Sequence, residues 1–226
     1  MNILKQSVLA TAITLVSVTA VAEVSMTVGM VSDYVYRGSE LGDAGAYASV
    51  DYAANGFYAG VWTISDNTTA NSLEYDISLG YETEISGVSV GLGYTAYEYS
   101  TPADSEEEFT LSLGMGPVSF AYSDGEDKNK FIDVGDQRVK VGDYDYDVMS
   151  LSADISIFTL TYGEYDADEH VVVDKDGSTT LSKGDYDWTE ISTGTEIGAI
   201  SLGVTLGSHS EGADYLVLDM STAIDL

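Results

Sequence analysis

The hydrophobic pattern between Leu73 and Tyr99 predicts a β-hairpin with two different faces. Apolar and polar residues alternate there, and successive side chains of a strand point to opposite sides. With a two-residue turn at Ser86-Gly87, the predicted pairs on the apolar face are Ile85 with Val88, Thr83 with Val90, Tyr81 with Leu92, Leu79 with Tyr94 and Ile77 with Ala96. The predicted pairs on the polar face are Glu84 with Ser89, Glu82 with Gly91, Gly80 with Gly93, Ser78 with Thr95 and Asp76 with Tyr97. Each arm alternates for about ten residues, which is the length of a tilted strand that crosses a bilayer.

The rest of the chain repeats this alternation and predicts an all-β fold of about twelve strands. Five tight turns are predicted at one end: Asn55-Gly56, Ser86-Gly87, Gly116-Pro117, Ser156-Ile157 and Gly198-Ala199. Longer loops are predicted at the other end, and the most charged are Asp124–Asp143 and Asp166–Gly184. Short turns at one end and long loops at the other are typical of a transmembrane antiparallel up-and-down β-barrel. An immunoglobulin-like sandwich has no reason to segregate its loops in this way.

The two ends of the chain support the same assignment. Lys5 gives a positive start, an apolar run follows to about Val21, and Ala20-Val21-Ala22 is a small-residue cleavage site. This pattern predicts a secretory signal peptide at residues 1–22, while a membrane anchor would need a longer apolar run. The barrel is then expected at residues 23–226, in the outer membrane of a Gram-negative bacterium. Its first strand is predicted at Val24–Arg37 and its last at Ala213–Leu226, where alternation continues to the end.

Charge and composition exclude several classes of function. The chain has 38 acidic and 8 basic residues, which gives a formal net charge of −30. Phosphate binding needs basic patches, so nucleic acid is excluded as a partner. The acidity suits either solubility in salty surroundings or a field that attracts cations, and composition alone does not separate these two. The chain has no cysteine, so neither disulfides nor thiolate metal sites are expected.

The alternation also places a set of charged residues on the predicted lumen face. These candidate residues of an ion pathway are Asp33, Arg37, Glu74, Asp76, Glu82, Glu84, Glu190 and Glu196. Carboxylates inside a narrow pore favour cations. Arg37 has two interpretations: it pairs with a carboxylate such as Glu74 or Asp76, or it lies at the loop edge and reaches outward to the lipid headgroups.

Catalytic and metal motifs are weak. The chain has two histidines, His170 and His209, and no G-x-S-x-G element, so we expect no enzyme and no catalytic residue. The run Asp174–Ser178 resembles the start of a calcium loop, but its glycine is at the fourth position rather than the sixth. We therefore predict no cofactor and no metal site of that type, while an irregular calcium site among the loop carboxylates stays open.

Three short stretches resemble a known family. They are S-D-Y-V-Y-R-G at Ser32–Gly38, G-F-Y-A-G-V-W at Gly56–Trp62, and the pair Gly80-Tyr81. The pattern is similar to the Gcw_chp family of proteobacterial proteins, also called the TorF porin family. Here the segment that follows R-G is shortened to Ser39–Gly42. The resemblance implies an outer-membrane barrel of largely uncharacterised function, and it supplies no catalytic residues.

The expected function is a small passive, cation-preferring pore. Its expected partners are membrane lipids, the outer-membrane assembly machinery, and small solutes or cations. Twelve strands lie between narrow barrels that side chains fill and wide barrels that hold a channel. Inward glycines favour open space: Gly80, Gly91, Gly93, Gly194 and Gly203. Inward rings could block it: Tyr58, Trp62, Tyr97 and Trp188. A structural or adhesive barrel with a filled lumen, and a soluble periplasmic β-sandwich that binds a ligand, are the alternatives.

Overall fold

The computed structural model describes residues 22–66, 72–100, 105–134, 137–173, 179–182 and 184–226. The predicted signal peptide up to residue 21, and the calcium candidate Asp174–Ser178, lie outside these residues. Within the described ranges, no helix is long and apolar enough to cross a membrane.

The described residues form sixteen strands. In chain order they are β1 (Glu23–Val31), β2 (Tyr34–Tyr36), β3 (Ser39–Gly42), β4 (Gly45–Ala54), β5 (Phe57–Asp66), β6 (Ser72–Ile85), β7 (Val88–Tyr99), β8 (Ser105–Met115), β9 (Val118–Val134), β10 (Gln137–Ile155), β11 (Phe158–Ala167), β12 (His170–Val173), β13 (Thr179–Ser182), β14 (Tyr186–Ile197), β15 (Ile200–His209) and β16 (Tyr215–Asp225). Twelve of them close into one barrel, while β2–β3 and β12–β13 form separate two-stranded sheets.

The barrel is antiparallel, and each strand pairs with its neighbour along the chain apart from the two inserted hairpins. It closes where β1 pairs with β16, with Met26 opposite Ile224. This closed sheet confirms the predicted barrel and excludes the β-sandwich alternative. Because the sheet has no free edge, every strand finds hydrogen-bond partners on both sides, as a membrane-spanning sheet requires.

The β6–β7 hairpin has the predicted register at all ten predicted pairs, from Ile85–Val88 to Asp76–Tyr97. Its turn residues Ser86 and Gly87 both have positive φ angles, of 55° and 83°. A type I′ turn requires this backbone, and its twist matches the twist of the two strands. The local sequence therefore determines both the turn and the pairing.

The outer wall of the barrel is apolar and the inner wall is polar. On β6, the outward Leu79 is 52% exposed, whereas the inward Glu82 is 5% exposed. Leu79, Tyr81 and Leu92, on the predicted apolar face of the β6–β7 hairpin, are exposed. On β15, Val204 is exposed and Leu202 is partly exposed. A continuous apolar exterior around a closed sheet is the surface that lipid covers.

Inward glycines lie opposite inward rings on the neighbouring strand. The directly paired residues are Gly29 with Tyr47, Gly80 with Tyr58, Gly125 with Tyr146, Gly163 with Trp188 and Gly207 with Tyr215. At Gly163, an added Cβ would lie 2.2 Å from the Trp188 ring. At Gly80, it would lie 2.3 Å from the Tyr58 hydroxyl. Gly80 therefore makes room for a ring, and the prediction that it opens space in the lumen is wrong.

Three predicted boundaries are also wrong. The first strand ends at Val31 rather than Arg37, and a hairpin follows it. The predicted loop Asp124–Asp143 lies largely in strands, because β9 runs to Val134 and β10 begins at Gln137. Between Asp124 and Lys128 both faces carry charges, so the apolar–polar signal of a strand disappears although the backbone pairing continues. The predicted loop Asp166–Gly184 contains the short hairpin β12–β13.

Candidate functional site

The segment between β1 and β4 folds into the barrel lumen as a small hairpin. We call this segment, Tyr34–Gly42, the inner hairpin; it consists of β2 and β3. Its tip is Arg37-Gly38, whose φ angles are 50° and 81°. Two successive residues with positive φ again indicate a type I′ turn, for which glycine at the second position is favoured.

Apolar contacts hold the base of the inner hairpin against the wall. Tyr34 and Val35 are 3% and 5% exposed, and they cluster with Val31, Ile64 and Val217. Burial of side chains of this size stabilises the folded state by about 1.5–3 kcal/mol each. The wall residues of this cluster come from β1, β5 and β16, so the hairpin has a defined position inside the barrel.

The tip of the inner hairpin forms a buried ion pair. Arg37 Nη1 lies 2.7 Å from Glu108 Oε2, and Nη2 donates to Oε1 at 2.7 Å. Glu108 is 2% exposed, and the Arg37 guanidinium also lies over the Tyr36 ring, 4.7 Å from its centroid. Burial disfavours a charged group, but arginine keeps its proton in proteins and the Glu108 carboxylate offsets the cost of burial. The guanidinium therefore stays charged and binds the carboxylate in the bidentate manner that arginine favours.

The barrel wall orients the Glu108 carboxylate independently of the hairpin. The Thr110 hydroxyl donates to Oε1 at 3.0 Å, and the Tyr146 hydroxyl lies 3.4 Å from Oε2. Thr110 is itself hydrogen-bonded to Ser123 at 2.9 Å. The hydroxyl groups of Tyr36 and Tyr97 are 2.8 Å apart and join the hairpin to β7.

The opposite side of the tip contacts a group of aromatic residues on β10, β11, β14 and β15. A Cβ added to Gly38 would lie 2.4 Å from the Cβ of Trp188, so the hairpin backbone approaches this wall closely. Near it, the stacked rings are Tyr146 on Tyr165 at 5.1 Å, Tyr165 on Tyr186 at 5.0 Å, and Tyr186 on His209 at 4.3 Å. The inner hairpin thus reaches from Ile64 on one side to Trp188 on the other, and it narrows the lumen.

The predicted lumen residues differ in how much of each side chain is buried. Glu74 and Glu82 are buried, Asp76 is partly buried, and Glu190 is partly buried and accepts a hydrogen bond from Tyr215 at 2.7 Å. Glu84 and Glu196 lie beside the tight turns and are exposed. Asp33 lies in the bend between β1 and β2. The structure therefore places Glu74, Asp76, Glu82 and Glu190 along the lumen wall and leaves the other carboxylates at its ends.

Arg37 faces the lumen and pairs with a carboxylate, as the first interpretation held, but its partner is not one of the two residues named as examples. It pairs with Glu108 rather than with Glu74 or Asp76, and it lies inside the barrel rather than among lipid headgroups. The named partners were wrong because the prediction treated Arg37 as part of the first strand. A hairpin that returns into the lumen carries the side chain across to β8, which strand alternation alone does not indicate.

Sequence reasoning missed three buried lumen carboxylates: Glu108, Asp127 and Asp219. Asp219 accepts a hydrogen bond from the Tyr47 hydroxyl at 2.7 Å. The signal for Glu108 was present in the sequence, because alternation from the outward Phe109 and Leu111 places it on the inner face. The acidic run before it obscured this signal.

The described basic side chains are few. Arg37 faces the lumen, whereas Lys128 lies on the outer face and contacts Glu107 at 2.7 Å and Glu126 at 3.4 Å. Among the side chains that the structure describes, the lumen therefore carries more carboxylates than cations.

The residues that the structure describes indicate neither a metal centre nor a hydrolase pair. No three His, Cys, Asp or Glu side chains in the described part of the chain are arranged to hold a metal ion. Ser39 Oγ and His209 Nε2 are 3.5 Å apart, but His209 Nδ1 accepts a hydrogen bond from the Glu211 amide at 3.1 Å. A neutral His209 then carries its proton on Nε2, so this nitrogen donates to Ser39 and does not activate it as a base.

Comparisons with known proteins agree with this architecture. A comparison with curated proteins found no match. A structure from work on the mechanism of in-meso crystallization of membrane proteins is similar, with a TM-score of 0.61 and 6% identity over 90% of this chain and 84% of that chain. The KdgM porin is similar, with a TM-score of 0.52 and 10% identity over 91% of this chain and 99% of that chain. At these identities the similarity concerns the fold alone.

A comparison of the sequence with models of known families identifies the family of this chain. The model of a family described as "Bacterial protein of unknown function (Gcw_chp)" matches residues 17–214, which is most of the chain. The chain therefore belongs to the Gcw_chp family of bacterial proteins.

Proposed function

We propose that this chain forms a narrow passive pore of the Gram-negative outer membrane and that the pore prefers cations. The observation that carries this proposal is the surplus of carboxylates on the lumen wall. The carboxylates are Glu74, Asp76, Glu82, Glu108, Asp127, Glu190 and Asp219. Arg37 is the lumen-facing cation among the described side chains, and it neutralises one of them.

Electrostatics inside a narrow wall explains the expected preference. Carboxylates enclosed by a wall of low dielectric constant focus a negative potential, which raises the local concentration of cations. Rings of Asp and Glu select cations in other channels for the same reason. The apolar exterior contacts lipid, the assembly machinery of outer-membrane barrels inserts the chain, and solutes cross without a catalytic step.

One observation favours a second candidate, a structural barrel with a filled lumen. The inner hairpin occupies the lumen and is anchored on two sides, by the cluster around Ile64 and by the Arg37–Glu108 pair. A barrel closed in this way would present its loops to the outside without conducting ions.

The reversal potential in a potassium chloride gradient tests both candidates. We expect purified full-length protein in a planar bilayer to conduct and to select potassium over chloride. Salt near 0.1 M is suitable, because the screening length falls from about 10 Å at 0.1 M to about 3 Å at 1 M. Glu82→Gln removes a charge from the lumen wall and should reduce the selectivity.

Asp124→Asn is the matched control. It removes one charge from the outer face of β9, where Asp124 is exposed, and should leave the reversal potential unchanged. A membrane that stays closed would favour the filled barrel. Anion selectivity, or equal effects of the two variants, would contradict the assignment of selectivity to the lumen carboxylates.

A further inference from the structure

The Arg37 guanidinium occupies a pocket that the barrel wall largely builds. The wall contributes Glu108, and it orients both carboxylate oxygens through Thr110 and Tyr146. Tyr97 borders the same pocket through its hydroxyl contact with Tyr36. The charged group that fills this pocket comes from an inserted hairpin and not from a barrel strand.

We propose that this pocket binds small organic cations of the guanidinium type, and that Arg37 occupies it as a tethered competitor. We call it the guanidinium pocket; it consists of Glu108, Thr110, Tyr97 and Tyr146. The inference rests on the proposed pore, for which it names a class of solute. A guanidinium solute that enters the lumen exchanges with Arg37 on Glu108, and the Arg37 side chain is displaced while the Tyr36 ring stays in place.

The geometry selects guanidinium over a simple metal ion. Two guanidinium nitrogens each lie 2.7 Å from a different oxygen of Glu108, so the bound group is a planar fork that matches the carboxylate. The Tyr36 ring lies under the same cation, and aromatic faces attract guanidinium groups. A potassium ion has neither the two directed donors nor the flat face that these contacts use.

The tether explains why the wild-type protein should bind such a solute weakly. A group held on the same chain competes at a high effective concentration. If Arg37 fills the pocket in about nine-tenths or more of molecules, the apparent affinity of a free guanidinium falls at least about tenfold. Removal of the Arg37 side chain should therefore increase binding.

Arg37→Asn is the appropriate variant, because it removes the cation and keeps the turn. Position 37 has a φ of 50°, which asparagine accepts more readily than most residues. The new Asn-Gly pair is the preferred sequence of a type I′ turn. Arg37→Gly accepts the same angles and serves as a second variant if the first does not fold.

Calorimetric titration of the detergent-solubilised full chain with methylguanidinium chloride tests the proposal. We expect Arg37→Asn to bind at least about tenfold more tightly than the wild-type protein. The double variant Arg37→Asn/Glu108→Gln should lose this binding. Methylurea has a similar shape without charge, and methylammonium has charge without the fork; both should bind Arg37→Asn more weakly than methylguanidinium does.

Three results would overturn the proposal. They are equal affinities of wild type and Arg37→Asn, binding that persists in the double variant, and equal binding of methylammonium and methylguanidinium. The titration does not depend on current. Tight binding to a protein that does not conduct would reject the pore and keep the pocket, whereas a conducting protein without this binding would reject the pocket and keep the pore.

Discussion

Two hairpins of this chain have the same type of turn and end in opposite surroundings. At the end of β6–β7, Ser86 and Gly87 have φ angles of 55° and 83°, and a Cβ added to Gly87 would meet nothing within 4 Å. At the end of the inner hairpin, Arg37 and Gly38 have φ angles of 50° and 81°. There an added Cβ at Gly38 would lie 2.4 Å from Trp188.

The difference comes from the strands and not from the turns. β6 and β7 have one apolar face each, and they are paired on both sides with β5 and β8. The strands of the inner hairpin have three and four residues, which is too short to cross a bilayer. They also carry Tyr34 and Val35, consecutive residues that are both buried. The turn sequence determines the local bend, and the side chains beside it determine where the hairpin lies.

The largest effect is expected when Arg37 of the inner hairpin loses its partner on the barrel wall, Glu108. Glu108→Ala leaves the Arg37 guanidinium in a buried site without its carboxylate. Loss of one partner of a buried pair costs about 3–5 kcal/mol. We expect the free energy of unfolding, measured by urea titration in detergent micelles, to fall by that amount.

Glu84→Ala is the control for this change, since Glu84 is an exposed carboxylate beside the Ser86-Gly87 turn. Exposed positions of this kind change stability by about 0.5 kcal/mol or less. Trypsin gives a second measurement, because it cleaves after arginine: Arg37 should be protected in the wild-type protein and cut in Glu108→Ala. Equal destabilisation by the two variants would show that loss of the Arg37–Glu108 pair costs no more than loss of an exposed carboxylate.

A smaller change in the free energy of unfolding is expected from alanine at either of the two turn glycines, Gly87 and Gly38. Gly87→Ala and Gly38→Ala both place alanine at a positive φ, which costs about 1–2 kcal/mol. Only Gly38→Ala also brings a Cβ against Trp188, where overpacking adds about 1–3 kcal/mol. The difference between the two free energies of unfolding measures the contact of the inner hairpin with β14. Equal losses would mean that the tip does not approach Trp188.

The same comparison shows how much of the fold the sequence predicts. The β6–β7 register was predictable in full, because lipid on one side and the lumen on the other impose strict alternation. The inner hairpin was not predictable, because no such constraint acts on a segment inside the lumen. Its only local signals are the Arg37-Gly38 pair and the break in alternation at Tyr34 and Val35.

The candidate site also contains residues that the sequence predicts and a contact that it does not. Alternation alone placed Glu74, Asp76, Glu82 and Glu190 on the inner wall. The partner of Arg37 depends on a contact across the lumen, 71 residues away in the sequence, and it follows from the path of the inner hairpin. Residues on the wall are therefore predictable one strand at a time, whereas contacts between the wall and the hairpin need the three-dimensional structure.

The smallest expected effect concerns the hydroxyl pair between Tyr36 and Tyr97, which are 2.8 Å apart. Tyr36→Phe removes this hydrogen bond and keeps the ring under Arg37, so the free energy of unfolding should fall by about 0.5–1.5 kcal/mol. Tyr81→Phe, at an exposed position on the outer face of β6, should have almost no effect. Because removal of both partners leaves no unsatisfied hydroxyl, Tyr36→Phe/Tyr97→Phe should cost less than the sum of the single changes. Additive losses would show that the two hydroxyls act separately and that this contact does not join the inner hairpin to β7.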